Sequence, residues 1–365
     1  MRYYATNKGT DRFKQRFNKL LAEEHYRLAH GLFVSSIGLG SYLGNYDDST
    51  DTKYRGAVIR SVELGCNIID TAINYRFQRS ERSIGAALKI LFDEGKTQRD
   101  EIIIATKGGY IPFDGAPPRD IRSYLVETFI KPGIAQPEDI VGGSHCMTQL
   151  YIENQLESSL KNLGLDCIDI YYLHNPEEQL GKIPREEFHK RVRKAFELLE
   201  LQVSEEKIKM YGTATWNGYR QEPNSKGYIL LEELVKIAKD VAGESHSFKV
   251  IQIPFNLAMP EALVAKNQKV GGETVSVIEA ARRLGVTVIA SASLLQSQLS
   301  NNLPDFIGES LKGLETDAQR ALQFVRSTPG ITTALVGMSS LKHVEENMKV
   351  AQTPPASTDD FMKLF

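Results

Sequence analysis

Four residues in this chain could do proton chemistry together: Asp70, Tyr75, Lys107 and His174. Asp70 closes the apolar run NIID and Tyr75 lies five residues further on, while Lys107 directly follows EIIIAT and His174 directly follows IDIYYL. A tyrosine of ordinary pKa, about 10, is a slow proton donor at neutrality. An ammonium held close by would stabilise its phenolate and speed the transfer, and Lys107 could supply one. A lysine buried at a strand end needs a counter-charge, which Asp70 offers. A neutral imidazole at His174 could then donate to a carbonyl oxygen and polarise it. None of the four is a strong covalent nucleophile in such a set, and one His with one Asp makes no metal site. Singly, each has a structural account: Asp70 as a helix cap, Tyr75 as loop packing, Lys107 as a rim charge, His174 as a hydrogen-bonded core residue. Ending three neighbouring apolar runs together, they read as an acid catalyst.

The elements that must position them recur along the chain as a helix-period segment, a glycine, then a short apolar run. ELGCNIID (63–70), NLGLDCIDIYYL (162–173) and RLGVTVIA (283–290) show the pattern. Ile152, Leu156, Leu160 and Leu163 line one helix face before Gly164, as Val277, Ala280, Ala281 and Leu284 do before Gly285. Apolar runs without alternation fit strands buried on both faces of a parallel sheet. The others are 34–39, 101–106, 208–213, 249–254 and 332–337, eight in all, with helices expected near 52–64, 80–92, 148–163, 187–202, 229–242, 274–284, 316–327 and 341–350. Strict alternation predicts an α/β chain folded as a single (β/α)8 TIM barrel over 26–352, with active groups at the C-terminal ends of its strands. An open doubly wound sheet would need a glycine fingerprint after the first strand, and GLGSYLG (38–44) misses it because Leu43 stands where glycine is required.

Residues 1–25 read as an N-terminal arm whose Phe13, Phe17, Leu20 and Leu21 share a helix face. YRLAHGLFVSS (26–36) reads as a hairpin turning at His30 and Gly31, and 353–365 as a polar tail. The long stretch from Gly108 to Met147, with Tyr110, Phe113, His145, Cys146 and Met147, reads as a pocket wall.

Lys and Arg number 44 against 46 Asp and Glu, and the signs are interspersed, so a nucleic-acid or membrane surface is not the expected partner. Cys66, Cys146 and Cys167 form no C-x-x-C pair, which argues against a disulfide framework or zinc knuckle and for a reducing compartment. MRYYATNKGTDRFKQRF has no apolar core of the export type, and a cytoplasmic location is the expectation. EGKT (94–97) ends like a phosphate-binding loop but lacks its leading glycine, Ile90 standing there. His145, Cys146 and Met147 are too few for a metal.

DTAINY (70–75), SERSIGAAL (80–88), ATKGG (105–109) and SLKNLGLDCIDIYYLHNPE (159–177) resemble the aldo-keto reductase superfamily. VSSIGLGSY (34–42), YGTATWNG (211–218), IQIPFNLAMPEA (251–262) and ALVGMSSLKHVEENM (334–348) extend the resemblance, in family order, over about 26–350. It implies a barrel whose early hairpin plugs the bottom, NADP(H) bound in extended form, and carbonyl reduction (or the reverse alcohol oxidation) by direct hydride transfer. Asp70, Tyr75, Lys107 and His174 would be the catalytic tetrad, with Tyr75 the general acid. The resemblance also implies that Gln252 binds the nicotinamide ring, that Glu346 and Asn347 read adenine, and that Gly40, Ser41, Tyr42, Asp70, Leu294 and Gly337 border the cofactor. Three places depart from the family. Its carboxamide-binding Ser-Asn pair is replaced by Ala214 and Thr215, leaving Asn217 to supply an amide. Its stacking aromatic is replaced by Ser291. Its 2′-phosphate arginine is replaced by His343, leaving Lys342, Ser339 and Ser340 as phosphate ligands, with NADP(H) preferred and NAD(H) accepted. Tyr110, His145, Asn175 and Trp216 would shape a pocket for a small carbonyl or alcohol, closed in part by the tail. A homo-oligomer stays open. A cofactor-binding regulatory module, such as the β subunits of potassium channels, is the alternative of another class; a non-redox barrel lyase would need a phosphate or metal site that the sequence does not offer.

Overall fold

A computed structural model of the chain describes residues 4–364; Met1–Tyr3 of the expected arm and Phe365 of the expected tail lie outside the described residues. Eight parallel strands close a barrel: β1 Ile37–Gly40, β2 Ile68–Asp70, β3 Ile103–Gly108, β4 Ile168–His174, β5 Ile208–Ala214, β6 Phe248–Pro254, β7 Thr287–Ser291 and β8 Ile331–Gly337. Each pairs with the next, and β8 pairs with β1. The strands are followed by helices α1 Asp48–Glu63, α2 Arg79–Asp93, α3 Gln149–Leu163, α4 Arg185–Ser204, α5 Leu231–Ala242, α6 Val277–Arg283, α7 Asp317–Ser327 and α8 Leu341–Met348. The expected (β/α)8 barrel is therefore the observed fold. Gly65, Gly164 and Gly285 take φ of 97°, 66° and 69° just beyond α1, α3 and α6, the left-handed stop that lets each helix turn into the next strand. Gly212 has a different reason: a Cβ there would lie 1.6 Å from the Val250 carbonyl oxygen, so only glycine lets β5 approach β6.

The bottom is sealed as the resemblance implied. Strands Tyr26–Ala29 and Leu32–Ser35 form a hairpin turning at His30 and Gly31, and its Leu32 and Val34 pack with Ile68, Ile103, Ile170, Met210 and Ile289 inside the barrel. The arm packs beneath: helix Asn7–Phe17 is capped by Thr6, buries Phe13, and sends Arg12 and Arg16 to Glu101. The helix is shorter than its apolar spacing predicts. It ends at Phe17, and Leu20 is 66% exposed. Between β6 and α6 the expected helix start at 274 is instead a small hairpin, Gln268–Val270 with Glu273–Val275, turning at Gly271 and Gly272.

Two expectations about the barrel mouth are corrected. The stretch after β3 does not stand over the mouth beyond Tyr110. It folds as helix Ile121–Leu125 running into a π-turn at Val126–Ile130, and Phe113, Tyr124, Phe129 and Tyr151 form a chain of ring contacts on the barrel's outside that buries Cys146 and Met147. The tail does not reach the mouth either. Arg326 donates to the carbonyls of Val350 and Thr353, Gln323 donates to that of Pro354, and Phe361 stacks on Phe324, which ties the tail to α7.

Candidate active site

Asp70, Lys107 and His174 occupy the C-terminal ends of β2, β3 and β4, and Tyr75 follows β2 in a turn whose Arg76, Phe77 and Gln78 all have positive φ. Lys107 Nζ donates to Asp70 Oδ1 at 2.5 Å and to the Thr71 carbonyl at 2.7 Å. The second Asp70 oxygen accepts from Gln252 Nε2 at 2.7 Å. Gln252, expected to bind the nicotinamide ring, thus also holds the carboxylate. Burial pushes the Asp70 carboxyl up and the Lys107 ammonium down, and each charge opposes the other's shift, as Gln252 opposes that of Asp70.

Lys107 lies 5.0 Å from the centre of the Tyr75 ring, and the imidazole of His174 meets that ring edge-on at 5.7 Å. The expectation that Lys107 lowers the Tyr75 pKa is not met. Burial, then the charge of Asp70, pushes the phenol well above its ordinary value, because the ammonium is spent on Asp70 and Thr71. The His174 imidazole is pushed well below its ordinary value, by burial first and then by Lys107 and His145, and is neutral at physiological pH.

One cavity of about 430 Å³ opens above these groups. Asp70, Tyr75 and His174 line it with Gly40, Ser41, Tyr42, Thr215, Gln252, Ser291, Leu294 and Gly337 of the expected cofactor set, and Tyr110, Asn175 and Trp216 of the expected substrate set. Lys107 is fully buried beneath. The cavity also takes in Asn74, Ser293, Gln296 and Ser297, which the sequence reading missed. Asn74 Oδ1 and Ser293 Oγ are buried without partners, so unspent hydrogen-bonding groups face a space that would admit a polar ligand. Gly337 leaves open space where a Cβ would stand. These features fit a dinucleotide whose reactive end enters the cavity.

His145 is not a lining residue. Its Nε2 donates to the His174 carbonyl at 2.7 Å and its Nδ1 accepts from Gln179 at 3.1 Å, so it stands behind the wall as a support for His174. Asn217 is also outside the lining; its N–H goes to Glu177 at 2.9 Å. Ser339, Ser340, Lys342, His343, Glu346 and Asn347 lie beyond the cavity, in and before α8, where Ser340 Oγ caps the helix by accepting from His343 N–H at 3.3 Å. Among the described residues no three His, Cys, Asp or Glu are grouped to hold a metal, and no helix is long and apolar enough to cross a membrane.

The model of the aldo/keto reductase family matches residues 36–245. The chain belongs to that family. Membership makes it an oxidoreductase of the carbonyl-acting kind. A Schizosaccharomyces pombe protein that carries the name of a voltage-gated potassium channel β subunit is 24% identical over 91% of this chain and 89% of its own length. The D-threo-aldose 1-dehydrogenase of a Pseudomonas species is 29% identical over 41% of this chain and 42% of its own length. Among solved structures, an aldo/keto reductase from Klebsiella pneumoniae in complex with NADP and acetate superposes with a TM-score of 0.61 at 20% identity, covering 94% of both chains. An aldo-keto reductase from Bacillus halodurans in its holo form gives 0.62 at 22%, covering 94% of this chain and 95% of its own.

Proposed function

We propose that this chain reduces an aldehyde or ketone with NADP(H), or oxidises the corresponding alcohol, with Asp70, Tyr75, Lys107 and His174 as its catalytic set. The single observation that carries the reading is the buried cluster itself: an Asp70–Lys107 ion pair, a phenol and a neutral imidazole, with Asp70, Tyr75 and His174 on the wall of one cavity at the strand ends. The nucleotide, when bound, supplies the hydride. Gln252, Ser291, Leu294, Gly337, Ser41 and Thr215 would hold its reactive end, and Lys342 with Ser339 and Ser340 the 2′-phosphate. NADP and NADPH in the complexes of structural neighbours support that preference, as does Lys342, which has no ion pair among the described residues.

The residues divide the remaining work. Tyr75 is kept protonated by its burial and presents its hydroxyl to the oxygen of the carbonyl. His174, neutral, orients that oxygen by donation. Lys107 offsets the negative charge that develops on the phenol as its proton leaves, and Asp70 and Gln252 keep the ammonium in place. Tyr42, Leu43, Tyr110 and Trp216 give the mouth an apolar, aromatic lining and Asn175 an amide, with no Lys or Arg among the lining residues, so neutral carbonyl compounds fit better than anionic ones. Consumption of NADPH across a panel pairing neutral and carboxylated aldehydes and ketones tests this. No oxidation with any of them, by protein that binds NADPH, would instead favour a cofactor-sensing module. That second reading is supported by the channel β-subunit relative and by Ala214 and Thr215 at the carboxamide site.

A further inference from the structure

The segment after β4 carries a carboxylate that the proton chemistry does not use. The chain leaves His174, turns at Asn175 with φ 44°, and enters a four-residue helix, Glu177–Leu180. From there Glu177 reaches across to the segment after β5. Its Oε1 accepts the backbone N–H groups of Trp216 at 2.8 Å, Asn217 at 2.9 Å and Gly218 at 3.2 Å. Three successive donors on one oxygen make a small anion nest. Its other oxygen, Oε2, is buried with no partner.

No cation shares the task. The ionisable groups around Glu177 are Glu178 on its own helix, Tyr110 after β3, and Tyr219 and Arg220 after β5. Tyr110 and Tyr219 are pushed up in part by the charge of Glu177, and Arg220 is engaged with Glu261 and the Trp216 carbonyl. Among the described residues Glu177 has no ion pair, so backbone dipoles alone hold the carboxylate, and loss of its charge weakens three bonds at once. Burial pushes its pKa up to about 7. The first residue of the nest, Trp216, is the only tryptophan of the chain, is 41% exposed, and lines the cavity.

We propose that Glu177 is a positioning residue for substrate: its carboxylate fastens the Trp216–Gly218 backbone and so holds the Trp216 indole as a wall of the cavity mouth. The word substrate rests on the carbonyl-reductase reading; the strap does not. Near neutrality the wall loosens as the carboxylate takes up a proton.

The lone indole reports the strap without any turnover. Acrylamide quenching of Trp216 fluorescence in the free protein should strengthen roughly twofold on acidification from about pH 8.5 to about pH 5.5, with its midpoint near 7, while Glu177→Gln holds the acid value throughout. A flat wild-type profile overturns the proposal with no variant needed, and so does a Glu177→Gln profile that titrates like the wild type. In steady state, Glu177→Gln should raise the carbonyl KM roughly fivefold with kcat and NADPH affinity held within about twofold, and the rise should vanish in a Trp216→Phe background. A rise that persists there undiminished overturns the proposal. Absence of turnover in the wild type, with the fluorescence profile as expected, would remove the reductase reading and leave the strap.

Discussion

Tyr75 can donate its proton only if the site tolerates the phenolate that remains, and in this fold burial and the charge of Asp70 oppose it while Lys107 is the cation beside the ring. Tyr75→Phe should therefore abolish carbonyl reduction while NADPH affinity stays within a few fold; undiminished turnover would remove Tyr75 from the chemistry. Lys107→Met leaves the Asp70 carboxylate buried with only Gln252 as a partner, and kcat at neutral pH should fall by at least about 10²-fold, the usual share of assisted proton transfer. An unchanged rate would make Lys107 a structural residue. Residue identities at strand ends were legible because each buried run is continuously apolar, so the polar residue that closes or follows it stands out at the barrel mouth. The sense of the Tyr75 shift was not, because it depends on how completely the phenol is dried and on where the ammonium spends its hydrogen bonds. The role of His145 was hidden likewise: its place in the same long stretch as Tyr110 suggested a pocket residue, while packing turned it onto the His174 carbonyl.

At the scale of elements, the eight helix-glycine-strand units were legible because each glycine stop is local and each buried strand is continuously apolar. The hairpin at 268–275 carries its own signal, Gly271-Gly272 between two short β-prone runs, where a helix start at 274 was expected. The stretch after β3 differs from the expected pocket wall because its aromatic residues join the main hydrophobic core outside the strands instead. Helix α8 bears the sharpest element-scale test. If its first turn holds the 2′-phosphate, Lys342→Ala should weaken NADPH binding by roughly 1–3 kcal/mol and leave NADH nearly unaffected. Titration of both cofactors against the variant decides it, since equal losses would assign this turn to adenine and end the NADP preference.

Over the whole molecule, the two ends of the barrel respond to acid with opposite signs. At the sealed end His25 bonds to Ser36 and the Gly65 carbonyl beside Arg326 and Arg27, and burial with those cations pushes its pKa to about 3. The unfolded chain protonates this imidazole below about pH 6.5 and the folded chain does not, so the contribution of His25 to stability falls as pH drops from about 6.5 toward about 3. At the mouth Glu177 keeps its proton up to about pH 7, whereas the unfolded chain loses it near 4.5, so its contribution falls as pH rises through that window. The signs separate the two residues in one experiment. Relative to wild type, His25→Gln should gain stability in urea melts as pH drops from about 6.5 to about 4.5, and Glu177→Gln should gain roughly 3 kcal/mol as pH rises from about 5 to about 8. A His25→Gln curve parallel to wild type would mean that this imidazole accepts a proton without unfolding, and the sealed end would have to be wetter than its packing shows.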